Sequence, residues 1–149
     1  MKNTVKKSQK GFTLIELLIV IAVIAILAAI AIPNLLSSRK AANEASAIGS
    51  MRTIVSAQET YRSRKTPPTY ATSLAELTTA KLIDATLGTA GKKSGYTFTL
   101  GTTDADTYSV TAAATTQDKT GDRSFFVDQT GVIRAADAAG AASTSNPIE

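Results

Sequence analysis

The sequence predicts an α+β fold. A long N-terminal helix, transmembrane in its first half and kinked at Pro33, packs on a small antiparallel sheet of about four strands. Three observations carry this. Residues 17–32 contain no polar side chain. Residues 34–65 continue with apolar residues at helical spacing. From Gly95 onward, short stretches alternate apolar and polar residues between turn signals.

The first element is the apolar block. Phe12 to Ile32 is 21 residues, broken only by Thr13 and Glu16. At ~1.5 Å per residue it spans ~30 Å, the thickness of a bilayer's hydrocarbon core. It holds fourteen Leu, Ile, Val or Phe, together favouring insertion by roughly −4 to −8 kcal/mol. That outweighs one carboxylate near the helix end. A secretory signal has a shorter apolar region and a small-residue cleavage site after it, so the block reads as a retained span. Lys2, Lys6, Lys7 and Lys10 precede it with no acid among them, which places the N-terminus in the cytoplasm and the bulk outside.

Pro33 removes a backbone donor and is expected to kink or locally melt the helix. Beyond it, Ala41, Ala45, Ile48, Met51 and Val55 gather on one face, which is expected to pack on the head. Thr66-Pro67-Pro68 ends the helix. Ser73 and Glu76 form a capping-box pattern before a short helix, LAELTTAKLID. Gly95–Leu100, Thr107–Ala112, Ser124–Asp128 and Val132–Arg134 read as strands, with a tight turn at Gln129-Thr130-Gly131. Tyr96, Phe98, Tyr108, Phe125, Phe126 and Val127 are the core candidates. From Ala135 to Glu149 the composition is small and polar, and a flexible tail is expected.

Composition narrows the chemistry. The chain has 149 residues, no cysteine and no histidine. A disulfide framework, the usual neutral-pH base and the commonest metal ligand are all missing. No Gly-rich phosphate loop or nucleophile elbow occurs, so neither an enzyme nor a cofactor is expected. The net charge of +4 belongs to the N-terminal lysines, because the other twelve basic residues balance twelve acidic ones. Only Arg62, Arg64 and Lys65 cluster in the remainder, and no nucleic-acid site is readable. Asp104, Asp106, Asp118 and Asp122 are weak Ca²⁺ candidates. They lack a complete calcium loop, and aspartate is an ordinary turn residue.

The stretch KGFTLIELLIVIAVIAILAAIAIP closely resembles the N-terminus of type IV prepilins and type II secretion pseudopilins, nearly residue for residue from Gly11 to Pro33. The resemblance implies a division into a cleaved leader (1–11), a transmembrane and filament-core helix (12–33), an amphipathic continuation (34–66), a head (67–134) and a tail (135–149). It implies that a prepilin peptidase cuts between Gly11 and Phe12 and methylates the new Phe12 amine. It implies that Glu16 pairs with the Phe12 amine of a neighbouring subunit, since a lone carboxylate in a dry core is costly. The implied partners are identical or related subunits in a helical filament, the peptidase, an inner-membrane assembly platform, and the lipid bilayer before assembly. The implied function is a pilus subunit serving attachment, motility or DNA uptake, first in the inner membrane and then in an extracellular pilus. The alternative is a pseudopilin of a type II secretion system, in a periplasmic pseudopilus. Many type IVa pilins close a C-terminal loop with a disulfide. This chain cannot, which moves weight toward the pseudopilins. Major pseudopilins carry a late Ca²⁺ site, which the aspartates would resemble. Outside the family, a single-span membrane-anchored binding module fits the hydropathy but leaves Gly11 and Glu16 unexplained.

Overall fold

The computed structural model describes residues 11–101, 104–137, 140 and 142–148. The leader expected at 1–11 lies outside them except for Gly11. The chain divides into two units, one ending at Leu36 and one beginning at Ser37.

Among the described residues of the first unit, the regular element is the start of helix α1 (Leu14–Ser63). The large apolar side chains from Phe12 to Leu36 are 42–94% exposed. Among the described residues α1 is the one helix long and apolar enough to cross a membrane. Pro33 lies inside it, and the assigned helix is unbroken there. The local melting expected at Pro33 is therefore not seen. Proline's fixed φ is compatible with a helix, and the cost is one lost donor.

The second unit packs one face of α1 on an antiparallel meander of six strands in sequence order. They are β1 (Lys92–Lys93), β2 (Tyr96–Leu100), β3 (Ser109–Ala114), β4 (Ser124–Asp128), β5 (Arg134–Ala136) and β6 (Asn146–Pro147). About four strands were expected. The two extra ones are dipeptides, too short to show alternation. β1 is joined to β2 by Ser94 and Gly95, both at positive φ, as a two-residue hairpin requires. β6 pairs with β5, and the Ile148 N–H donates to the Ile133 carbonyl at 2.9 Å. The loose tail expected from Ala135 is thus corrected: its described residues close the sheet. Ala135 and Ile148 pack against the core, and that contact offsets the weak local propensity.

The core joins Ala47, Met51, Ile54 and Ala57 of α1 to Tyr96, Phe98, Tyr108, Val110, Phe125 and Val127. Of the expected core residues only Phe126 is out of place. It is half-buried, because strand alternation puts it on the face opposite Phe125 and Val127. The helix face is also rotated from the expected one. Ala41 and Ala45 are exposed, and Ile48 and Val55 are half-buried. The buried face runs through Glu44, Ala47, Met51, Ile54 and Gln58, and its polar members hid it from an apolar count.

The expected helix from Leu74 to Asp84 is two helices. α2 (Leu74–Thr79) begins at Ser73, whose hydroxyl accepts from the Glu76 N–H at 3.3 Å. It ends where Lys81 takes a positive φ of 57° and the Leu82 N–H donates back to the Leu77 carbonyl, a Schellman-type close. α3 (Ala85–Ala90) then starts at Asp84, whose carboxylate accepts from the Leu87 N–H at 2.8 Å.

Candidate functional site

The candidate site is the amino end of α1. Gly11, Phe12 and Thr13 precede the first helical residue, and Phe12 is 94% exposed. A Cβ placed on Gly11 would meet no atom within 4 Å. Thr13 occupies the N-cap. Its hydroxyl accepts from the Glu16 N–H at 3.2 Å. In return, Glu16 Oε2 accepts from the Thr13 N–H at 2.8 Å and from the Thr13 hydroxyl at 2.9 Å. This is a reciprocal capping box: it satisfies helix-end donors that have no partner inside the helix. Thr13-Leu14-Ile15-Glu16 carries the pattern in plain sight. It went unread because Glu16 was taken only as a charge in an apolar block.

The four aspartates proposed for calcium are not brought together. Asp106 pairs with Arg62, near the carboxyl end of α1. Asp104 takes a long contact from the Thr107 hydroxyl at 3.5 Å. Asp122 pairs with Lys40 at 2.8 Å, and Asp118 holds a turn at a φ of 61°. Lys40 and Arg62 are 22 residues apart on one helix, or about 33 Å. Among the described residues no group of three or more acidic side chains is arranged to hold a metal ion. The calcium candidates are therefore withdrawn: they are turn and ion-pair residues.

A second constellation fixes the head to its helix. Lys40, Asn43 and Glu44 all grip one loop. Asn43 Nδ2 donates to the Thr120 carbonyl at 2.8 Å. Glu44 Oε1 accepts from the N–H groups of Asp122 and Arg123, and its Oε2 from Arg123 Nε at 2.8 Å. Burial pushes the Glu44 carboxyl up, but these three hydrogen bonds and the guanidinium charge leave it below the ordinary value of 4.5. Tyr96, buried beneath, has its hydroxyl pushed up to about 12 by burial and by the Glu44 charge. It donates to the Arg123 carbonyl at 2.8 Å. Higher on α1, Gln58 is wholly buried. Its amide donates to the Ala71 carbonyl at 3.1 Å and accepts from the Ala71 N–H at 2.8 Å. No periodicity in the sequence points to any of these residues.

Comparison with known proteins places the amino end in context. Residues 6–32 match the model of the prokaryotic N-terminal methylation motif. The chain is 57% identical over 56 residues to the type IV wide pilus major component PilA4 of Thermus thermophilus, covering 38% of this chain and 43% of that one. It is 45% identical over 56 residues to the type IV major pilin protein PilA of Myxococcus xanthus, covering 38% and 26%. It is also 33% identical over 57 residues to the type II secretion system core protein G of Aeromonas hydrophila, covering 38% and 40%. The chain thus spans less than half the length of these relatives. All three are structural components by name, not enzymes. The amino end of the chain thus carries the prokaryotic N-terminal methylation motif and is similar there to type IV pilins and to a type II secretion core protein.

Proposed function

We propose that the chain is a structural subunit of a type IV pilus. It is made as a membrane-inserted precursor, with its N-terminus cytoplasmic and its head outside, and is assembled by helix packing. The observation that carries this reading is the exposure of the apolar half of α1. Every large apolar side chain from Phe12 to Leu36 exposes at least 42% of its surface. A surface of that extent must be covered by lipid or by other protein. Lipid serves before assembly, and the same helices of neighbouring subunits serve after it. Pro33 is where such a helix bends with least loss. Glu16 keeps a carboxylate in this apolar surface, which suits docking against the Phe12 amine of a neighbour better than residence in lipid.

Gly11 supports the processing step. Among the described residues, no atom lies within 4 Å of a Cβ placed on Gly11, so none of them demands glycine there. The demand then comes from outside, from the peptidase that cuts after it. Gly11→Val is expected to leave an uncleaved precursor in the membrane. A normal mature Phe12 end in that variant, read by intact mass, overturns the processing step.

The match to core protein G of a secretion system supports a second reading, a pseudopilin in a periplasmic pseudopilus. Sheared surface filaments decide between them. A pilin is recovered in the filament fraction, whereas a pseudopilin stays with the cells.

A further inference from the structure

The capping box at the start of α1 gives Glu16 a partner within its own chain. A capping box does not need a charge, because glutamine serves at the same position. The box therefore explains the length of the side chain at position 16 but not its ionisation. Both Thr13 contacts fall on Oε2, which leaves Oε1 for a second partner. Phe12 is next to Thr13, so the amine that cleavage would create starts one residue from the N-cap.

We propose that Thr13 is a positioning residue for filament assembly. Its N–H and its hydroxyl hold one carboxylate oxygen of Glu16 in a single rotamer and present the other to the amine of an incoming subunit. This rests on the reading of Glu16 as the assembly contact. An unheld glutamate samples several rotamers and must be ordered at docking. A held one has met that cost in the monomer, which is the general gain of preorganisation. The hydroxyl is the key atom, because it accepts from the Glu16 N–H and donates to the Glu16 carboxylate at once.

Three substitutions in the full-length chain separate positioning from simple capping. Filament yield is counted per mature subunit, with the Phe12 end checked by intact mass and helix content read by circular dichroism in detergent. Thr13→Ser keeps every donor and acceptor and is expected to assemble like wild type. Thr13→Val loses the hydroxyl and is expected to lower the yield at least about tenfold. Thr13→Asp is a strong N-cap that repels the Glu16 carboxylate. It is expected to keep wild-type helix content and still lose filaments. Wild-type yield from Thr13→Asp or Thr13→Val overturns the positioning role. Glu16→Gln tests the underlying reading separately, since it keeps the box and removes the charge. Wild-type yield from Glu16→Gln overturns the pairing with Phe12, whatever the Thr13 variants do.

Discussion

Of the polar side chains that α1 buries, Ser50 bonds within its own helix, to the Ser46 carbonyl, whereas Glu44 and Gln58 each replace water with backbone partners from a distant loop. Gln58 closes a two-bond ring with Ala71. Gln58→Leu keeps most of the volume and strands one buried N–H and one buried carbonyl. At about 1–3 kcal/mol for each stranded group, the head is expected to lose about 2–6 kcal/mol, measured as a lower urea midpoint with an unchanged m-value. Glu44 makes a pH prediction. Its carboxyl is lowered in the folded head, as are those of Glu76, held mainly by the Thr72 hydroxyl, and Asp84, held mainly by Lys93. A lowered folded value means that the stabilisation is present above the unfolded value and is lost as pH falls through the folded one. Acid unfolding is therefore expected to develop below the ordinary values of 4.5 for Glu and 3.8 for Asp. Glu44→Gln should flatten that acid limb. A variant whose stability falls with pH as steeply as wild type contradicts the assignment.

Among the elements, the α2–α3 pair has the least sequence support and the tightest fit. α3 reads Ala-Thr-Leu-Gly-Thr-Ala, with a glycine in mid-helix that disfavours it. The glycine is there because α2 is close. A Cβ on Gly88 would lie 1.5 Å from Thr78 Oγ1 and 3.0 Å from the Leu74 carbonyl oxygen. Gly88→Ala is expected to cost about 1–3 kcal/mol through overpacking, despite the better helix propensity of alanine. Thr78→Ala removes the obstructing hydroxyl, so the double variant should recover part of that loss. Thermal melts of the four combinations give the coupling directly. Additive losses would mean that the two helices do not meet at this point.

For the whole molecule, the boundary between Leu36 and Ser37 separates a unit whose described residues bury no core of their own from a head with one continuous core. The head keeps its own anchors to α1 from Lys40 onward, through Asp122, Thr120 and Arg123. A fragment from Asn34 to Glu149 is thus expected to be a soluble monomer with one cooperative thermal transition. A broad, non-cooperative melt would show that the apolar half is needed to fold the head.

The amino end was legible in the sequence because its signals are local. The span is a run of adjacent residues, and the methylation motif lies within it and its immediate flank. The strands Tyr96–Leu100 and Ser124–Asp128 were legible for the same reason, since alternation is a nearest-neighbour pattern. What the tertiary structure alone decided depends on partners far along the chain. Glu44 meets Asp122 across 78 positions, and that contact satisfies a carboxylate on the buried face of α1, where an apolar count does not look for one. Arg62 meets Asp106 across 44 positions, and Lys40 meets Asp122 across 82. Those pairs scatter the aspartates that composition had grouped. Ile148 returns to Ile133 and makes a strand from residues whose own propensity predicts none. In each case the deciding energy is the burial or hydrogen bonding of a group whose partner exists only once the chain has folded.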